Sequence, residues 1–173
     1  MKKLTTFVAA ALVLTATAAF AQKVTTDSDP AAPFATYKTY AWTKGTPSPN
    51  PLGEKRIQDG VNAKMAAAGF KLVTEKPDVV VATHAVAKEE KEVQTMGMGG
   101  YGRWGYGGGT STSTVNTYLV GTLVVDMYDA KTKNLVWRGI ATDTLSDKPE
   151  KNAEKVEKSL EKMFKEYPPK VKK

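Results

Sequence analysis

The sequence predicts an α+β fold. The expected form is a two-layer sandwich, in which a mostly antiparallel sheet of four to five strands carries two helices on one face, in the order β-β-α-β-β-β-α. Three observations lead there. Residues 51–68 and 149–167 each carry a single apolar stripe at helical spacing. Residues 36–42, 77–87, 115–128 and 135–145 are rich in β-branched and aromatic residues, with the alternation of strands. The last two of these flank a polar turn, as in an antiparallel hairpin. One sheet covered on one side buries every stripe, and no repeat or second core is visible.

The chain opens MKKLTTFVAAALVLTATAAFAQ. Lys2 and Lys3 precede an apolar run from Leu4 to Ala19, and Ala19-Phe20-Ala21 forms an A-x-A cleavage signature. The run is short for a membrane span of ~20 residues and reads as a secretory signal peptide, residues 1–21, cut between Ala21 and Gln22. The expected mature chain, 22–173, is a single periplasmic or secreted domain with no further apolar stretch long enough to span a bilayer. A domain of this size buries roughly 68–70% of its unfolded surface, enough for a core without staples. There is no cysteine, so neither disulfides nor a lipid-bearing cysteine are available.

Residues 23–27 suit a short first strand, and Asp29, Pro30 and Pro33 then break regularity. "TYKTYAW", 36–42, is the second strand and "GTPSPNP" a loop. Asn50 followed by Pro51 is a helix start, with a capping side chain and then proline at the first helical position. Ile57, Val61, Met65 and Ala68 form the helix stripe, and Gly69 ends it, with Phe70 packing back. "PDVVVATHAVA", 77–87, is apolar on both faces and so central in the sheet. At "KEEKEV", 88–93, the strand either continues as an exposed edge or frays. From Val115 to Met127 the odd positions face inward. Asp126 and Asp129 flank the turn before "LVWRGIATDTL" and are expected to serve it. The second helix starts near Pro149, with Ala153, Val156, Leu160, Met163, Phe164 and Tyr167 as its stripe. Pro168 and Pro169 end it, and residues 168–173 are a loose basic tail.

Between the third and fourth of these strands lies "MGMGGYGRWGYGGG", residues 96–109, a glycine-rich loop carrying Tyr101, Arg103, Trp104 and Tyr106. Gly97 to Gly102 spell GxGxxG, but no helix follows to meet a pyrophosphate, and GK[ST] occurs nowhere. The loop reads either as a connector whose aromatics rest on the domain surface or as a contact with a ligand or partner, since aromatic rings stack on sugars or lie at a membrane interface and an arginine pairs with carboxylate or phosphate. His84 is the single histidine and lies on the sheet face of Val80, Ala82 and Val86. One histidine does not make a zinc site, and Asp27 and Asp29 lack the rest of a calcium loop. No cofactor, metal or catalytic residue is assigned. Removing Lys2 and Lys3 lowers the formal +7 charge by two. The excess suits anionic surfaces more than nucleic acid, for which no folded basic motif is present.

Several blocks together resemble a known family. They are "VTTD" from Val24 to Asp27, Phe34, "YKTYAW" from Tyr37, Arg56 and Ile57, "AGF" from Ala68, "PDVVV" from Pro77, "GTLVVD" from Gly121, "LVWRG" from Leu135 and "YPP" from Tyr167. They resemble the bacterial envelope family known as domain of unknown function 4136, over essentially the whole mature chain. The resemblance implies export and, in many members, lipid attachment, for which this chain has no cysteine. It implies no activity, substrate or catalytic residue.

The favoured reading is an exported periplasmic or envelope-associated protein, a non-enzymatic binding or structural module. It contacts an envelope protein, a glycan or an anionic surface through the open sheet face or the 96–109 loop. The alternative is a carboxylate-based hydrolase of an envelope substrate, which requires a concave pocket with converging acids. A third reading is self-association through the threonine-rich edge near 110–118. Because a glycine-rich loop buries little and is entropically costly to order, deleting residues 97–109 is expected to change stability by no more than about 1 kcal/mol. Thermal unfolding of the deletion variant checks this.

Overall fold

The computed structural model describes residues 22–97 and 111–169. The expected signal peptide, most of the glycine-rich loop and the last four lysine-rich residues lie outside these. The elements are β1 (Lys23–Ser28), β2 (Thr39–Trp42), α1 (Pro51–Ala67), β3 (Lys71–Leu72), β4 (Val79–Gly97), β5 (Ser111–Asp129), β6 (Leu135–Thr144) and α2 (Pro149–Phe164). They form one sheet in the order β1-β6-β5-β4-β2-β3, with both helices on the same face.

The fold is α+β, but the sheet is six-stranded and mixed, which corrects the expected four to five mostly antiparallel strands. The β1–β6, β6–β5 and β5–β4 pairs are antiparallel, whereas β2 is parallel to both β4 and β3. The cause is the helix between β2 and β4. A chain that leaves a strand, returns through a helix and re-enters the sheet beside that strand runs parallel to it. β3 is two exposed residues long, too short for any alternation to register.

α1 begins and ends as its sequence directs, whereas α2 ends at Phe164, short of the Tyr167 that its expected apolar stripe includes. The Asn50 side chain accepts from the amides of Leu52 and Gly53, and Pro51 follows at the first helical position. At the other end Phe70 N–H donates to Met65 and Gly69 N–H to Ala66, with Gly69 at φ +87°. That is the paired closure for which a left-handed residue is required. α2 has no capping side chain at Lys148. Asn152 instead reaches back to accept from Ser146 N–H and donate to its carbonyl.

The core lies between the helices and the odd-numbered face of β4, β5 and β6. Ile57, Val61 and Met65 of α1 and Leu160 and Met163 of α2 pack on Val79, Val81, Leu123, Val125, Met127 and Trp137. Gly60 sits where the helices approach: a Cβ there would stand 2.6 Å from Leu160 Cδ1. Gly139 has the same role under α2, since a Cβ would lie 2.8 Å from Trp137 Cη2 and 2.9 Å from Met163 Sδ. Asn62 Oδ1 accepts from both Tyr40 Oη and Trp42 Nε1, which ties α1 to β2. Beyond the end of α2 Tyr167 meets Phe34 and Trp137 edge-on and Phe70 and Phe164 at a tilt, at centroid separations from 5.7 to 6.0 Å. Burial pushes its hydroxyl well above the usual tyrosine range.

Two carboxylates pin the ends of β4 and β5. Asp78 Oδ2 accepts from the amides of Lys38 and Thr39 and from the Thr39 hydroxyl. Asp129 Oδ1 accepts from the amides of Lys131 and Thr132 and closes the β5–β6 turn, as the sequence suggested. Its Oδ2 accepts from Tyr37 Oη, and burial together with Asp129 pushes that phenol up to about 12.

The largest departure from a compact sandwich is the β4–β5 hairpin. Its register is unbroken from Val79↔Asp129 to Gly97↔Ser111. β6 ends at Thr144, opposite Val120, and β2 at Trp42, opposite Val81, with one further bridge from Thr46 to His84. Apart from the bond from Leu145 N–H to the Leu119 carbonyl, residues 88–97 and 111–119 therefore have strand partners only in each other among the described residues, and form an arm about 30 Å long at ~3.4 Å per residue. The inward reading of the odd positions holds for Leu123, Val125 and Met127, all buried. It fails for Val115 and Leu119, 56% and 41% exposed, because neither helix extends over the arm.

Gly139→Ala is expected to destabilise the domain by about 1–3 kcal/mol by overpacking Trp137 and Met163, read from urea unfolding. Amide and hydroxyl donors hold the Asp78 and Asp129 carboxyls below the ordinary value of 3.8. Each therefore contributes stability that is present above about pH 4 and lost as pH falls through its lower folded value. Asp78→Ala should lower the urea midpoint at neutral pH and flatten its fall between about pH 4 and pH 2.

Candidate functional site

Three places on the domain have the geometry for contact or chemistry. The first is the arm. Tyr101, Arg103, Trp104 and Tyr106 lie outside the described residues, in the segment that joins Gly97 to Ser111 at the arm's end.

The second is a cleft at the arm's root. Both helices start at this end of the sheet, and between their first turns lies a cavity of about 420 Å³, within the range of small-ligand sites. Its floor is the core face of the sheet at Ala85, Leu123 and Ala141, with Ile57 and Val156 from the helices. Leu119 and Leu145 close it on the arm side, where Leu145 covers Gly121 and its amide bonds the Leu119 carbonyl. Polar groups at the rim are largely engaged. Lys155 Nζ donates to Asp143 Oδ1 at 2.9 Å and to the Thr144 carbonyl at 2.6 Å. Gln22 Nε2 donates to Ser159 Oγ and to the Lys155 carbonyl. The α1 amides that face outward at its first turn are taken by Asn50, so this end of α1 offers no phosphate cradle. Arg56 stands on the rim, exposed.

The third is a polar cluster on the helix-free face. Cross-strand register sets Asp126 of β5 opposite Arg138 of β6 and Ala82 of β4. Asp126 is 1% exposed, and both its oxygens accept from Arg138, at 2.6 Å from Nε and 2.7 Å from Nη2. This fork keeps the guanidinium firmly protonated, raised chiefly by its bond to the carboxylate. Tyr128 Oη donates to Asp126 Oδ2 at 3.3 Å, and His84 Nε2 stands 3.8 Å from the same oxygen. On its other side His84 Nδ1 is 3.0 Å from Thr46 Oγ1.

A hydroxyl, an imidazole and a carboxylate in sequence invite comparison with a nucleophilic triad. The bonding argues otherwise. The carboxylate is already held at both oxygens by Arg138, and the imidazole is too distant from it to be oriented by a hydrogen bond. The cluster instead clamps β5 to β6 and, through His84, to the 43–46 segment. It corrects the expectation that Asp126 serves the turn. The signal was present: Asp126 shares the even-numbered side with Thr122 and Tyr128, and "GTLVVD" and "LVWRG" each carry one partner of the pair. What sequence alone lacked was the register that sets them opposite.

Residues 24–169 match the family described as "Domain of unknown function (DUF4136)". The chain belongs to this family. Within that span Phe70, Asp78, Asp126, Arg138 and Tyr167 lie in the blocks by which the sequence resembles the family. No curated protein matches the sequence. Among solved structures, a PDZ domain protein from Parabacteroides distasonis ATCC 8503 is similar over 86% of this chain, with a TM-score of 0.58 and 17% identity. This chain spans 35% of that one, and the likeness is one of fold. The PelC dodecamer from Paraburkholderia phytofirmans is similar over 81% of this chain and 95% of its own, at 14% identity and a TM-score of 0.47. A minor lipoprotein from Acinetobacter baumannii is similar over 75% of this chain and 91% of its own, at 11% identity and a TM-score of 0.35. No helix among the described residues is long and apolar enough to cross a membrane.

Arg138→Met would leave the buried Asp126 carboxylate without its two strongest donors. The expected loss is about 1–3 kcal/mol. Thr46→Ala, which removes only an exposed contact to His84, should cost under about 1 kcal/mol. Parallel urea titrations of the two variants check the ranking.

Proposed function

We propose that this protein is an exported envelope module whose work is contact, made through the hairpin arm. The observation that carries this reading is the arm itself: β4 and β5 continue as a two-stranded ribbon well past the last residue that the helices or β6 cover. An isolated two-stranded ribbon is marginal in water, and extending one gives the body of this domain no added core. The ribbon is described as far as Gly97 and Ser111, and the sequence between those two residues carries Tyr101, Arg103, Trp104 and Tyr106, whose aromatic rings and guanidinium suit a glycan, an envelope protein or an anionic surface. The signal-peptide pattern at residues 1–21 supports the compartment.

A hydrolase is the alternative, and the cleft is the place for it, since Asp143 and Asp147 line it. The Asp143–Lys155 ion pair weighs against free carboxylate chemistry there.

The test uses the chain without residues 1–21 and a variant with Tyr101, Arg103, Trp104 and Tyr106 all changed to alanine. Co-sedimentation with peptidoglycan sacculi and with anionic vesicles, and pull-down from solubilised envelope, should retain the parent. The variant should lose at least about tenfold in retention while keeping its circular dichroism. A parent that is retained by none of the three overturns the reading.

A further inference from the structure

The arm has two free edges, and they differ in kind. The β4 edge runs through Lys88, Glu89, Glu90, Lys91 and Glu92, the charged pattern by which natural sheets keep an edge from pairing. The β5 edge from Ser113 to Leu119 reads STVNTYL, with no charge and no proline. Alternation fixes which backbone groups this edge offers. The Leu119 carbonyl points away from β4, since it accepts from Leu145 N–H. In an antiparallel ladder both polar groups of a residue point the same way and successive residues alternate. The N–H and C=O of Thr117, Val115 and Ser113 therefore also point outward, past the end of β6, where no described residue bonds them.

We propose that this edge is a homodimer interface, in which β5 pairs antiparallel with β5 of a second copy about a two-fold axis at Val115. The axis position follows from chemistry. With Val115 facing its own copy, the outward N–H and C=O of each Val115 meet those of the other, and Ser113 and Thr117 face each other across the seam. Seams of serine and threonine with no charge are compatible with themselves, as an isologous contact requires. The apolar side chains agree. Val115 is 56% exposed and sits beside Val93, 60% exposed, as its cross-strand partner on the same face. Pairing the copies sets a row of four valines across the new sheet. It also converts two marginal two-stranded arms into one four-stranded sheet, past the three strands with an apolar face that independent stability needs. The β4 edges, with their charges, remain outside.

The chain has no cysteine, so an introduced one has only its copy to react with. In the proposed register Val115→Cys faces itself at a Cα separation of about 5.5 Å, inside the disulfide range. Mild oxidation should convert it to a covalent dimer at least about fivefold faster than Ser113→Cys or Thr117→Cys alone. The Ser113→Cys/Thr117→Cys double variant should recover fast crosslinking. Light scattering of the chain without residues 1–21 should show a dimer. Thr117→Pro, which removes an outward donor without touching the arm's own bonds, and Val115→Lys, which sets two cations together at the axis, should both return it to monomer with an unchanged far-ultraviolet spectrum. A parent that scatters as a monomer up to millimolar concentration overturns the proposal. So does a Val115→Cys that crosslinks no faster than Val93→Cys, on the other strand.

Discussion

β4 and β5 share one register over nineteen residues each, from Val79↔Asp129 at the floor of the domain to Gly97↔Ser111 at the end of the arm. That ladder is the constraint on which the rest depends. Its lower half supplies the centre of the sheet: α1 and α2 pack on Val79, Val81, Val125 and Met127, and β2 and β6 dock on its two sides. Its upper half is a projecting ribbon. Because the pairing is continuous, the core fixes the direction of the arm. The two halves also differ in what holds them. The lower pairs are stabilised by buried side chains and the upper ones by backbone bonds and cross-strand contacts alone, so the arm lies toward the low-stability end of the structure.

Much of this was legible in the sequence, and the failures have physical causes. Asn50-Pro51 and Gly69-Phe70 marked α1 to within a residue, because capping and left-handed closure demand particular side chains at fixed places. The period-two pattern placed Leu123, Val125 and Met127 inward for the same reason. It placed Val115 and Leu119 inward too, since alternation reports which residues share a face and is silent on whether anything covers that face. β3 was missed because two residues carry no period. The parallel β2–β4 pair was missed because pairing direction follows from where a helix returns the chain, a property of three elements together. The four aromatic and arginine positions of the glycine-rich segment were read from composition and remain a reading from composition.

Asp126 shows how a site-like cluster arises from a structural need. Its carboxylate lies in the middle of a three-strand span and is almost without solvent. A buried carboxylate is tolerable only when it is paired and hydrogen-bonded. Arg138 satisfies both oxygens from the neighbouring strand, and Tyr128 and His84 complete the surroundings. Asp126 lies in "GTLVVD" and Arg138 in "LVWRG", two of the blocks by which this sequence resembles DUF4136. The cleft between the two helix starts and the arm lie elsewhere on the domain. Leu119 lines the first and belongs to the second.

The most direct test of the continuous ladder is residue-resolved amide hydrogen exchange. Within the arm, the amides of Glu90, Glu92, Asn116 and Tyr118 point across the hairpin, since those of odd-numbered neighbours face outward. The account predicts that these four exchange at least about tenfold more slowly than the same residues in an unfolded chain, with protection falling gradually toward Gly97 and Ser111. Exchange at unfolded rates beyond Ala87 and Gly121, with full protection below, would mean that the ladder ends where the helices end, and would contradict it.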